Sequence, residues 1–289
     1  MDLETNLKGC ARALARHVLC NDLAWSILRG AASRSDYLRV QRKAATESRF
    51  RENCEHAFAR MIVLAGPFAG LKYPTQVSHG SAFYPKLLGS YEAELHGALQ
   101  QFCGRSYDGI VDIGFAEGYY LVGLARLFPA ANLWGFDTSP QAHILCQGLA
   151  QANGIDLARL NLCSRAEPAS LGRAMAGRTL VICDCEGFEV ELFVPGSEAL
   201  WQKADLIIEC HDFIHSEATA SVRRQLERTH DIQLISSTEP VLKKNLVSED
   251  IRAMFSKEEL LRLLNEGRPC QQNWIVASSR TDTRSTHTS

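Results

Sequence analysis

Two short segments, Cys183-Asp184-Cys185-Glu186-Gly187-Phe188-Glu189 and Glu209-Cys210-His211-Asp212, hold the side chains of this sequence best suited to proton chemistry. Each ends a short apolar run, TLVI or DLII, of the kind that forms a buried strand. If the two strands are neighbours, Asp184, Glu186, Glu209, His211 and Asp212 converge on one cleft. Acids and an imidazole crowded together shift one another's pKa, which is how a general base near neutral pH is made. His211 is the first candidate base. Asp184 is the second, since a carboxylate can orient a nucleophilic hydroxyl or amine as its proton leaves, and Glu186 completes the catalytic set. Singly, each of these residues is more ordinarily a helix cap or a satisfied polar group. Cys183, Cys185 and Cys210 lie beside them, but two cysteines at period two on a strand are not the C-x₂₋₄-C knuckle of a structural zinc site. Buried thiols and no bound metal are expected; magnesium on Asp184, Glu186 and Asp212 is the less favoured alternative.

A second constellation lies upstream. Val111-Asp112-Ile113-Gly114-Phe115-Ala116-Glu117-Gly118-Tyr119-Tyr120 sets an acid before a Gly-x-x-x-Gly turn that runs into a helical pattern. Glycine at 114 and 118 lets the backbone turn sharply and come close to a ligand. A dinucleotide site wants G-x-G-x-x-G, yet Ala116 stands in the middle glycine's place and Glu117 brings negative charge to where the phosphates would sit. S-adenosylmethionine has no phosphate and carries a sulfonium and an ammonium, so acids at Asp112 and Glu117 suit it. Asp137 ends the next strand, about twenty residues on, where an acid accepts hydrogen bonds from ribose hydroxyls; as an alternative it N-caps the following helix. Ser164-Arg165-Ala166-Glu167 falls where the adenine would lie, with Ala166 and Glu167 as contacts, although Glu167 serves equally well as a first-turn helix acid. The expected cofactor-binding set is Asp112, Gly114, Glu117, Gly118, Asp137, Ala166, Glu167 and Asp184, with S-adenosylmethionine as cofactor and S-adenosylhomocysteine as its product.

The elements that must position these residues follow from the pattern. Residues 1–65 carry almost no strand signal and read as a helical region, a lid or a surface for homodimer formation. Residues 66–91, rich in proline, glycine and aromatics, read as an irregular connector, and a helix from about Glu92 to Cys103 completes the 66–104 segment. From residue 105 to 279, strands alternate with helices: GIVDIG, NLWGFD, Leu160–Cys163, TLVICD, DLIIEC, IQLIS and NWIVAS, with helices expected at 117–127, 140–152, 169–176, 190–202, 218–227 and 257–264. That alternation implies right-handed crossovers and a doubly wound, mostly parallel, Rossmann-like α/β sheet of seven strands, the last two forming an antiparallel edge. Residues 280–289 read as a disordered tail. Tyr73, Tyr84, Tyr91 and Lys72 of the connector, with an insertion at about 237–271, are the segments expected to cover the pocket.

With 289 residues, 46% of them apolar, the chain can bury one large core. A net charge of −2 gives no reason to expect nucleic acid or a membrane surface as partner, and a small-molecule acceptor is expected instead. No run approaches the roughly 20 apolar residues of a membrane span. The N-terminus does not read as a secretory leader, and ten scattered cysteines read as reduced thiols, so a cytoplasmic location is expected.

The residues resemble the FkbM-type S-adenosylmethionine-dependent methyltransferases. VDIGFAEGYY is similar to that family's first motif, GFD at Asp137 to its ribose-binding acid and DCEGFE at Asp184–Glu189 to its D-x-E-G-x-E segment, the most specific of the three. IIECHD and LLGSYEAEL are similar to segments of bacterial members. The resemblance covers roughly residues 66–278 and implies a class I methyltransferase fold and methyl transfer, commonly to oxygen, in natural-product or saccharide biosynthesis. Phe115 and Ala116 depart from the small polar pair often found in the first motif, and the helical N-terminus has no counterpart. The alternatives are N-methylation of an amine, amino acid or peptide and, more distantly, an NAD-dependent oxidoreductase or a non-catalytic binding protein.

Overall fold

The structure is a computed structural model that describes residues 22–282, and the chain divides into two compact units, with Ala57 ending the first and Phe58 beginning the second. Among the described residues the first unit is one helix, Asp22–Ala57. From Arg29 to Thr46 every residue is exposed, including Tyr37, Leu38 and Val40. The first 21 residues of the expected helical region and residues 283–289 of the expected tail lie outside the described residues, while Arg280–Asp282, expected to be disordered, form a 3₁₀ turn. No helix among the described residues is long and apolar enough to cross a membrane.

The second unit is built on one sheet. Its strands are β1 (Gly109–Ile113), β2 (Asn132–Phe136), β3 (Leu160–Cys163), β4 (Thr179–Cys183), β5 (Ala204–Cys210), β6 (His230–Ser236) and β7 (Asn273–Ser279), in the order β3-β2-β1-β4-β5-β7-β6. Pairing is parallel from β3 through β5. The expected antiparallel pair of β6 and β7 forms, but β7 inserts between β5 and β6, so β7 alone runs against the rest. Every residue of β1, β4 and β5 is buried. The Ile-Val, Leu-Val-Ile and Leu-Ile-Ile runs at their centres suit strands covered by helices on both faces.

Most covering helices begin and end where the sequence pattern places them. Pro140–Ala152 starts with proline in its first turn, and the Ser139 hydroxyl accepts from the Ala142 amide at 3.4 Å, the usual way of satisfying an orphan N-terminal donor. The helix expected over 190–202 does not form as one piece. Pro195-Gly196 interrupts it, with Gly196 at φ +93°, and leaves two single turns, Glu189–Leu192 and Glu198–Trp201. The expected helical region stops at Ala57, short of residue 65, and Ile62 instead forms an antiparallel bridge to Lys72 of the connector, which is less irregular than expected and also holds a short helix, Phe83–Leu88.

At the amino ends of the central strands, Asp205 is buried and fully satisfied. It accepts from Arg105 Nη1 at 2.8 Å, Tyr107 Oη at 2.7 Å and the Ser279 amide at 3.0 Å. These bonds tie β5 to β7 and to the segment entering β1, and leave the carboxyl ends of the strands as the open side. Since Phe58 begins a compact unit with its own core, a chain starting there is expected to melt in one cooperative step. A circular-dichroism melt of residues 58–289 checks this, and a non-cooperative profile would contradict the boundary.

Candidate active site

Strand order reverses between β1 and β4, and the loops leaving these two strands are pinned together. The Asp184 amide donates to the Ile113 carbonyl at 2.9 Å, and on the other side the Gly114 amide ties β1 to β2 by donating to the Phe136 carbonyl at 2.7 Å. Gly114 adopts φ +86°, and a Cβ there would overlap the Asp184 carbonyl oxygen. Only glycine permits this approach. The crevice at such a switch point is where open α/β sheets bind ligands, and here it is a cavity of about 520 Å³. Its walls come from the ends of β1, β2, β3 and β4, through Gly114, Ala116, Asp137, Ala166 and Asp184, with His79, Gly80 and Ser81 of the connector across the opening.

The expected cofactor residues divide into those that line this cavity and those that support it. Gly114, Asp137, Ala166 and Asp184 line it. Asp137 Oδ2 accepts from the Ala116 amide at 2.9 Å and Oδ1 from the Ser139 amide at 2.8 Å, so the acid is held by backbone on both oxygens. Ser139 rather than Asp137 is the helix N-cap. Ala116 sits at φ +51°, a left-handed conformation that costs a residue with a side chain energy and persists only where its surroundings fix it. That turn aims its amide at Asp137.

The other four expected contacts are not among the lining residues. Gly118 packs instead: a Cβ there would sit 2.7 Å from Cys146 Sγ on the neighbouring helix. Glu167 is exposed at the N-cap position of Pro168–Ala174 and makes no side-chain cap bond. Asp112 is buried inside β1, where burial first and Asp184 second push its carboxyl well above the ordinary carboxylate range. Glu117 turns away from the cavity into the connector, where it forms an ion pair with Lys86 and accepts from Tyr73 Oη at 3.2 Å, Ser78 Oγ at 3.0 Å and the His79 amide at 3.1 Å. Burial alone would raise its pKa, but the Lys86 ammonium and these donors hold it below the usual value. Glu117 thus fixes the segment that closes the cavity, and the charge expected to face the cofactor is already spent.

Of the connector aromatics expected to wall the pocket, Tyr91 does so. Tyr73 is committed to Glu117, Tyr84 accepts from Gln76 Nε2 at 3.0 Å and packs on Phe58, and Lys72 is exposed, its amide donating to Asn153 Oδ1.

A second cavity, about 330 Å³, adjoins the first and shares Gly80, Ser81, Asp184 and Glu186 with it. Its other walls include Tyr91, Glu209, His211, Phe213, Glu266 and Arg268. The expected catalytic trio therefore meets at the junction. His211 Nε2 lies 3.5 Å from Asp184 Oδ1 and 3.5 Å from Glu186 Oε2. Behind the imidazole, Glu189 accepts from the His211 amide at 2.7 Å and faces Nδ1 at 3.2 Å. Burial opposes a charge on His211, but the Glu189 bond and the charges of Asp184, Glu189 and Glu186 prevail and raise its pKa. Asp184 is raised by burial, with His211 pulling the other way and Glu186 adding to the rise.

Asp212 does not join the cluster. It accepts from the Thr219 amide at 2.9 Å, from Thr219 Oγ1 at 2.5 Å and from Asn273 Nδ2 at 3.3 Å, tying β5 to the helix that follows and to β7. Asp212 therefore does not stand with Asp184 and Glu186 as the expected magnesium ligand set would need. No disulfide joins the described cysteines.

Sequence reasoning also missed a buried charged floor. Arg268 pairs with Glu92, Glu209 and Glu266 and bonds Gln272; Lys243 pairs with Glu94 and Glu266. Burial raises Glu92 to about 7 against the opposing pull of Arg268. Arg268 lies in the insertion, 59 positions from Glu209, and nothing local marks it.

No family model matches this chain, and no curated protein matches it. Among solved structures it is similar to a ribosomal protein L11 methylase from Lactobacillus delbrueckii subsp. bulgaricus, at 10% identity and a TM-score of 0.44 over 72% of this chain and 84% of that one. It is also similar to a putative O-methyltransferase from Klebsiella pneumoniae, at 12% identity and a TM-score of 0.42 over 66% and 81%. An O-methyltransferase from Bacillus cereus in complex with SAH is similar at 11% identity and a TM-score of 0.41 over 80% and 91%. With scores below 0.5, these likenesses carry no argument about function.

Proposed function

We propose that this chain is an S-adenosylmethionine-dependent methyltransferase that methylates an oxygen of a small molecule. The observation that carries the reading is the pair of adjoining cavities, one at the β1–β4 switch point and one beyond it, with Asp184, Glu186 and His211 on or beside their shared wall. The first, at about 520 Å³, lies in the range of small-ligand sites, roughly 300 to 1,000 Å³. Its charged lining is Asp137, Asp184 and Glu186 against Arg165, which favours a cationic cofactor over the pyrophosphate of a dinucleotide. Asp137 takes the ribose hydroxyls on its remaining lone pairs, Ala166 packs on the adenine, and the methyl group points toward the second cavity.

In that reading the acceptor fills the second cavity. An in-line transfer from sulfonium to nucleophile depends mainly on holding the two in line and excluding water. His211, oriented by Glu189, is the group that meets the acceptor's proton, with Asp184 and Glu186 beside it. Asp184, Glu186, Glu209 and Glu266 outnumber Arg268 in the lining, which favours neutral or amine acceptors over anionic ones, and methylation of an amine is the second reading that this acidity supports.

Asp137→Ala tests the cofactor assignment. Loss of the ribose contacts is expected to weaken S-adenosylhomocysteine binding by about 1 to 3 kcal/mol, measured by calorimetric titration of both proteins. Unchanged affinity in a folded variant would move the cofactor elsewhere.

A further inference from the structure

We propose that Asp184, Glu186 and His211 hold one divalent metal ion in a zinc-like, four-coordinate site whose open position faces the second cavity. One donor atom from each of the three residues lies within 4.8 Å of the others. The two His211 Nε2 separations, 3.5 Å to Asp184 Oδ1 and 3.5 Å to Glu186 Oε2, are longer than the roughly 2.7–3.2 Å of a hydrogen bond to nitrogen. They suit a shared ion. With donors about 2.1 Å from a zinc ion, a 3.5 Å separation subtends about 113° at the metal, near the tetrahedral ~109°. An octahedral magnesium site at about 2.1 Å would instead draw adjacent donors to about 3.0 Å.

The donors are also left unspent and held in place. The His211 side chain is 1% exposed, and its Nδ1 faces Glu189, itself 0% exposed. A carboxylate behind the imidazole is the arrangement that fixes ring and tautomer in metal-ligating histidines and leaves the outer lone pair for the ion. Among the described residues Nε2 makes no hydrogen bond, and Asp184 Oδ1, a buried oxygen, accepts none. Glu186, 75% exposed, is the third ligand and leaves a path from solvent.

The site's purpose, though not its occupancy, rests on the methyl-transfer reading. An ion there would bind the acceptor oxygen and lower the pKa of its proton, with His211 acting as ligand. Cobalt(II) titration of the full chain, followed by visible absorption, tests the site directly. One equivalent is expected to give the intense band of four-coordinate cobalt, displaced by zinc. Glu189→Gln is expected to weaken binding by about 10- to 100-fold, the range for a supporting carboxylate, and His211→Ala to abolish it. Since His211→Ala strands buried Glu189, the exposed Glu186→Gln serves as the variant that keeps the fold, and it is expected to weaken binding at least about tenfold.

No saturable band up to about 1 mM cobalt, a sulfur-to-cobalt band placing the ion on cysteines, or wild-type binding by Glu186→Gln would overturn the site. An S-adenosylhomocysteine titration of the same sample separates the two readings. Cofactor binding without cobalt binding removes the metal site alone; cobalt binding without cofactor binding keeps the metal site and removes methyl transfer.

Discussion

Lys86→Met is expected to destabilise the protein by about 3 to 5 kcal/mol, because it leaves the Glu117 carboxylate buried without its counter-charge. The Lys86 and Glu117 side chains are 3% and 2% exposed. The ammonium also lies over the Tyr91 and Tyr119 rings at 4.8 and 5.4 Å, contacts that methionine reproduces only as packing. The pH dependence has a definite sign. Glu117 is held below its ordinary value in the folded state, so its contribution is present above the unfolded carboxyl pKa of about 4.3 and is lost as pH falls through the folded value. In the variant, burial favours the protonated acid, so the deficit is largest near neutral pH and narrows in acid. Urea unfolding at pH 7 and pH 4 measures both effects, and the double variant Lys86→Met, Glu117→Gln should recover part of the loss. A deficit below about 1 kcal/mol would mean the pair behaves as a surface ion pair and does not fasten the connector.

His211→Ala is expected to lower kcat by at least about 10²-fold while cofactor affinity stays nearly constant, since the imidazole acts at the acceptor and not on the nucleotide. The expectation holds whether the ring takes the acceptor's proton or ligates an ion. Steady-state rates on any hydroxyl compound the native protein methylates, set beside S-adenosylhomocysteine titration, separate the two parameters. Wild-type turnover would remove His211 from the chemistry and leave Asp184, or positioning alone, to account for the rate.

The parts of this molecule legible in its sequence are those specified by neighbours in the chain. The apolar runs LVI in TLVIC and LII in ADLIIEC occupy both faces because helices cover both sides, and that marks β4 and β5 as central. Asp137, Asp184 and His211 stand at or just beyond strand ends, where the architecture opens its crevice, so period and position together point to them. The failures share a different cause. Glu117 follows the glycine turn as a cofactor acid would, but its partner is Lys86, 31 residues earlier, and a sequence does not show which buried cation an acid finds. Asp212 sits one residue beyond His211, yet the chain leaving β5 turns it toward Thr219. Glu189 was visible in the DCEGFE segment, but its role depends on a single helical turn that brings it behind the imidazole. The break in the expected 190–202 helix was readable: Pro195-Gly196 is a breaker by its own chemistry.

The central claim is that the switch-point cavity holds S-adenosylmethionine, and the direct measurement is calorimetric titration of the native chain with S-adenosylhomocysteine and, separately, with NAD. The site's acidic lining predicts saturable one-to-one binding of the first and none of the second. Binding of NAD with no heat from S-adenosylhomocysteine would contradict the account.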